Sequence, residues 1–162
     1  MIQPNSHELA GHVPGRPPEA ALRVVIVHDD LPSYRRALRL LVRVLGPEAG
    51  GPAVQPLPWR FSELGRRAWR ERAWIDAEGA DLFIVAPALG AGLPADMVDW
   101  LEISFERRRH QPAAVVWLES EDQVRDAGQE NHRARLRRSA EAAGLNFLDR
   151  TEAGAVAPAG AR

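Results

Sequence analysis

Three stretches hold the residues best suited to chemistry: His28-Asp29-Asp30 with Ser33 just beyond, the Pro- and Gly-bearing run 87–93, and the acidic run Glu119-Ser120-Glu121-Asp122. Adjacent carboxylates at Asp29 and Asp30, joined by Glu119, are the oxygen ligands that a hard cation such as Mg²⁺ takes. Asp30 is equally a helix N-cap residue, and in that role it would leave Asp29 and Glu119 as solvated loop carboxylates. His28 beside these acids is expected to have a raised pKa, which would suit proton transfer. No G-x-S-x-G elbow surrounds Ser33 or Ser120, and the five His show no paired metal-binding spacing, so no catalytic residue is assigned. Cys is absent, which excludes disulfides and thiolate chemistry. All 21 basic residues are Arg, so Schiff-base and other lysine chemistry is excluded as well. Arginines crowd two helical stretches, and Arg35, Arg39, Arg135 and Arg138 are the residues expected to dock an acidic protein partner. With 22 acidic residues against those 21 basic ones, the net charge of −1 provides no field for a polyanion, and nucleic acid is an unexpected partner.

The elements that must position these residues follow from hydrophobic periodicity. A chain of 162 residues with 45% hydrophobic side chains is the size of one domain with a real core. Residues 1–21 are Pro-rich and aperiodic and read as a flexible arm. Residues 151–162 are mostly Ala, Gly and Pro and read as a flexible tail, which leaves 22–150 as the folded unit. Leu22–Val27, Asp81–Ala86 and Ala113–Leu118 are short apolar runs of the kind buried on both faces of a parallel sheet. A Pro-interrupted run at 54–61 predicts an edge strand, and Leu145–Leu148 a short last one. Helices are expected from Asp30 to Gly46, over Ser62–Ala77 with Leu64, Ala68 and Ile75 inward, from Pro94 to about Arg109, and over 130–143 with Gly144 as cap. Of the five Trp, Trp59 and Trp100 are the ones whose exposure would mark an interface.

This βα alternation calls for a doubly wound sheet, and five strands predict the flavodoxin-like order 2-1-3-4-5. The pattern lacks a helix after the last strand. One face of strands four and five is then left uncovered, to be met by the N-terminal arm, a partner or a second copy in a homodimer. No apolar run approaches the ~18 residues of a membrane span, and no leader pattern opens the chain, so a cytoplasmic protein with no membrane contact is expected.

Two resemblances attach to quoted residues. Val24-Val25-Ile26-Val27-His28-Asp29-Asp30 and the helix after it resemble the first strand of response-regulator receiver domains, whose paired acids hold magnesium. At the position of the receiver's phosphoacceptor aspartate this chain has Ala86. Its hydroxyl-bearing switch residue would fall near Glu119 and its lysine near Arg150. The resemblance therefore implies a degenerate receiver, a non-enzymatic interaction module in bacterial regulation with no cofactor. The stretch Ala80–Pro87, then Gly92-Leu93-Pro94, Val98–Leu101 and Pro112–Val116, is similar to flavodoxin-like flavin reductases, over about 70 residues. That similarity implies the alternative, a flavin- or nucleotide-binding oxidoreductase holding FMN near Ser33, Pro87, Gly90 and Gly92. The loop after the first strand departs from the reductase pattern, because Asp29, Asp30 and Pro32 stand where N–H groups should cradle a phosphate.

Overall fold

The computed structural model describes residues 21–46, 52–121 and 126–151; nearly all of the expected arm and of the expected tail lies outside these residues. Five strands, β1 (Leu22–His28), β2 (Val54–Arg60), β3 (Leu82–Ala86), β4 (Ala114–Glu119) and β5 (Asn146–Thr151), form one parallel sheet of order β2-β1-β3-β4-β5. Its helices are α1 (Leu31–Leu45), α2 (Phe61–Leu64), α3 (Arg67–Glu78), α4 (Ala95–Arg107) and α5 (Ala127–Ala142). The flavodoxin-like strand order expected from the periodicity is the one the chain adopts. β2 is at the edge because Pro56 and Pro58 have no N–H for a second neighbour.

The two faces of the sheet are covered unequally. On one face the side chains of Val25, Val27, Phe83, Val85, Val115 and Trp117 are buried beneath α2–α5, with Trp100, Leu101, Phe105 and Leu136 from the helices. Phe83 and Phe105 meet edge to face at 5.5 Å between centroids, an arrangement that favours aromatic pairs. On the other face Val24, Ile26, Ile84, Ala86, Val116 and Leu118 have, among the described residues, only Ala37 and Leu41 of α1 as buried partners. Among the described residues no helix follows β5.

Local chemistry sets the helix ends. Asp30 caps α1: its Oδ1 accepts from the Ser33 backbone N–H at 2.8 Å, while Ser33 Oγ accepts from the Asp30 N–H at 3.1 Å. Pro32 occupies the first turn, where its missing N–H removes no bond. At the end of α5, Gly144 adopts φ +82°. Leu145 N–H then reaches Ala140 O at 2.9 Å and Gly144 N–H reaches Glu141 O at 3.0 Å, the paired bonds of a Schellman turn. The single helix expected over 62–77 is two, broken at Gly65-Arg66. The break resets the helical phase, so Ala73 and Ala77 face the core and Ile75, expected inward, is 67% exposed.

One arginine ties three elements together. Arg108, 7% exposed, donates to Glu78 O at the end of α3, to Gln111 Oε1, and to Pro112 O just before β4. Its position at the C-terminus of α4 also places the cation at the negative end of the helix dipole.

Gly144→Ala should destabilise the domain by about 1 kcal/mol, since a Cβ disfavours the left-handed conformation, and lower Tm by roughly 3 °C in thermal denaturation.

Candidate functional site

Parallel α/β sheets bind ligands at the carboxyl ends of the strands, where the order reverses between β1 and β3. At that point His28 ends β1, 6% exposed, with its ring stacked on Tyr34 at 4.9 Å and Nδ1 3.1 Å from Asp30 O. Burial lowers its pKa below the ordinary 6.5, outweighing the backbone bond to Asp30 and the nearby carboxylates. The expectation of a raised pKa is therefore reversed, because the strand end lies inside the fold.

Asp30 is engaged with its own helix. The Ser33 hydroxyl at 2.7 Å, followed by the Ser33 N–H, holds its carboxyl below the usual carboxylate range despite burial. Ser33 is completely buried in this cap and turns no donor toward a ligand. Glu119 is 8% exposed and its Oε1 accepts from Trp117 Nε1 at 3.0 Å, a contact made on the α5 side of the sheet. Among the described residues no three His, Asp or Glu side chains gather where a metal ion could bind, so Asp29, Asp30 and Glu119 are not brought into one ligand set. Asp122 lies outside the described residues.

The loop after β3 is held at its base. Arg36, 5% exposed on α1, donates through Nη2 to Pro87 O at 2.7 Å, and its Nε is buried without a hydrogen-bond partner. Gln129 Nε2 donates to Ala91 O at 2.6 Å and so joins this loop to α5. Gly90, at φ +69°, and Gly92 are exposed, with open space where a Cβ would project. This geometry fits an FMN phosphate poorly. The Ser33 N–H already serves the Asp30 carboxylate, Pro32 has no N–H, and Asp29 and Asp30 would repel a dianion.

The four arginines named for docking divide between the two faces. Arg35 and Arg39 form an exposed ridge on α1, whereas Arg135 and Arg138 are on α5, across the sheet. Arg135 binds Glu102 Oε2 at 2.6 Å and Asp99 Oδ1 at 2.9 Å, tying α5 to α4. Burial pushes the Glu102 carboxyl upward, yet its bonds from Arg135 and Ser139 hold it lower than usual.

An open apolar surface lies beside α1. A groove of about 280 Å³ has Leu82, Ala114, Val116 and Leu148 as its floor and Leu40 and Val44 of α1 as its wall. Leu22 and Asp81 lie at its lower end and Arg150 toward its upper end. Leu148, fully apolar, is 42% exposed here. The uncovered face expected over strands four and five is this surface. A second groove of about 380 Å³, between α1 and the Pro-bearing edge strand, was not anticipated. Its signal was the spacing of Leu38, Val42 and Leu45, a second apolar flank on the same helix. Trp59 and Trp100 are 8% and 1% exposed, and the half-exposed indole is instead Trp69, tilted against Trp59 at 6.2 Å. No helix among the described residues is long and apolar enough to cross a membrane.

No protein-family model matches the chain, and no curated protein sequence does either.

Folding favours neutral His28, so stability should be complete above pH 6.5 and decline as the pH falls below that value, where the unfolded chain binds the extra proton. Thermal denaturation between about pH 7.5 and 5.5 should show this fall, and His28→Asn should flatten it. Separately, Asp30→Ala should cost about 1 kcal/mol in denaturant unfolding at neutral pH through loss of the cap.

Proposed function

We propose that this chain is a non-enzymatic interaction module of receiver-like architecture, holding another protein against the open half of its sheet and working without phosphorylation. The observation that carries this reading is the apolar floor of Leu82, Ala114, Val116 and Leu148, which no described element covers. A sheet in this architecture is buried on both faces, and a contiguous apolar strip left open is a contact surface in search of a partner. The exposed Arg35–Arg39 ridge beside it favours a partner with acidic residues at its rim. The strand-end cleft supports the same reading. Ala86, in register with His28, stands where a receiver carries its phosphoacceptor, and the nearby Asp30 carboxylate serves a helix cap. The alternative, an oxidoreductase with bound flavin or nucleotide, finds no phosphate cradle after β1.

The test is site-specific photo-crosslinking in cells, with the photoreactive residue at Leu148 or, as control, at Ile75 on the opposite side. A discrete protein adduct at 148 and none at 75 is expected, and Arg35→Glu with Arg39→Glu should weaken that capture by about tenfold. Purification with stoichiometric flavin, and no adduct at 148, would overturn the reading.

A further inference from the structure

We propose that the element held on the open half of the sheet is one amphipathic α-helix of the partner protein, laid over β4 and β5 antiparallel to α1, with acidic residues on the flank that meets α1. The inference rests on the docking function proposed above and names what that surface holds.

Backbone chemistry decides between a helix and an extended segment. The floor is made by the side chains of Leu82, Ala114, Val116 and Leu148, which are hydrocarbon throughout. A strand or loop laid across them would press its N–H and C=O groups against that surface with no partner. A helix satisfies those groups internally and offers the floor only side chains.

Dimensions give the same answer. α1 makes its main contacts with β1 and β3, which leaves β4 and β5. Strands about 4.8 Å apart make that strip about 10 Å wide, close to the roughly 8–10 Å at which one helix packs beside another. One helix therefore fits against the wall of Leu40 and Val44, and two do not. From the level of Leu82 and Ala114 up to that of Leu118 and Arg150 is four residues of strand, or about 13 Å. Roughly nine helical residues cover that length at about 1.5 Å each, enough for apolar side chains at i, i+3, i+4 and i+7 to run along the floor.

Electrostatics gives the direction. Asp81 borders the lower end of the groove, and Arg150 lies toward its upper end. The positive N-terminus of a helix is favoured beside Asp81 and the negative C-terminus beside Arg150. α1 starts at the carboxyl end of β1 and descends, so this sense sets the two helices antiparallel, with their dipoles opposed. The crest of α1 above the wall carries the exposed Arg39 and Arg43, and a flank of Glu or Asp on the incoming helix matches it.

A second copy fits this surface less well. α1 stands above the floor by a helix diameter, so two floors facing each other would press the Arg35, Arg39 and Arg43 crest of one copy onto the apolar floor of the other.

The probe is a synthetic peptide of about 18 residues, long enough to form a helix, with Leu at i, i+3, i+4 and i+7 and Glu along one flank. Its affinity for the full-length chain is read by fluorescence anisotropy beside a peptide of the same composition with Leu at alternate positions. The helical peptide should bind at least about tenfold tighter. Leu148→Asp, at an exposed position of the floor, should weaken it about tenfold, and Ile75→Asp should not. A nitroxide on the peptide's N-terminus should broaden the amide resonances of Leu82 and Ala114, and one on its C-terminus those of Leu118 and Arg150. Equal or tighter binding of the alternating peptide, insensitivity to Leu148→Asp, or the reverse broadening pattern would overturn the proposal. A dimer of the free chain that excludes the peptide and dissociates on Leu148→Asp would overturn it in favour of a second copy. No binding of the helical peptide while the photo-adduct at 148 persists would overturn the helix alone and leave the docking function standing. Absence of that adduct would remove the docking function, and the helix with it.

Discussion

A parallel sheet places apolar side chains on both of its faces, so the placement of covering helices governs everything else about the domain. Here the covering is lopsided. Among the described residues, four helices share the face that buries Phe83, Trp117 and Val115, and α1 alone attends the face that carries Ile26, Ile84 and Val116. A helix about 10 Å across cannot blanket five strands spaced about 4.8 Å apart. Two apolar grooves, one on each flank of α1, are the direct result. The sequence of α1 conforms to this situation. Leu38 and Val42 face one groove, Leu40 and Val44 the other, and Arg35, Arg39 and Arg43 form a narrow outer ridge while Arg36 turns inward.

Arginine as the only basic residue gives the fold a particular kind of fastening. Arg36 and Arg108 are buried and end on backbone carbonyls, where a planar fork can reach acceptors in fixed directions. Arg133 and Arg137 both bind the Asp149 carboxylate of β5 from α5. Arg108 fixes how the chain enters β4, whereas Arg36 fixes the loop that leaves β3, so the strand-end cleft is a place of internal fastening. Its polar groups are largely paired with one another, a poor starting point for holding a cofactor.

Much of the fold was legible because its signals are local. The β-branched run Val24–Val27, the Asp30 cap three residues before Ser33, and Gly144 after the last amphipathic turn each announce themselves within a few residues. What depended on three dimensions was harder to read. Ile75 points outward because a break at Gly65 shifts the phase of the helix that follows, and no periodicity count across the break reveals it. Arg135 looks like Arg35 on a helical wheel, but only the packing shows that one grips α4 while the other is exposed on the opposite face. The titration of His28 was misjudged for the same reason: its neighbours in sequence are acidic, while its surroundings in space are dry.

The unequal layering also divides the molecule mechanically. On the crowded side, Arg108 and Arg135 lace α3, α4, α5 and the start of β4 into a single body. On the sparse side, α1 is joined to the sheet by a handful of side chains, chiefly Ala37, Leu41 and the Arg36 bond to Pro87 O. Local opening is cheapest where buried contact is least. The amides of α1 should therefore exchange with solvent through a partial opening that leaves the opposite layer closed, and the loop after β3, released with Arg36, would loosen in the same event.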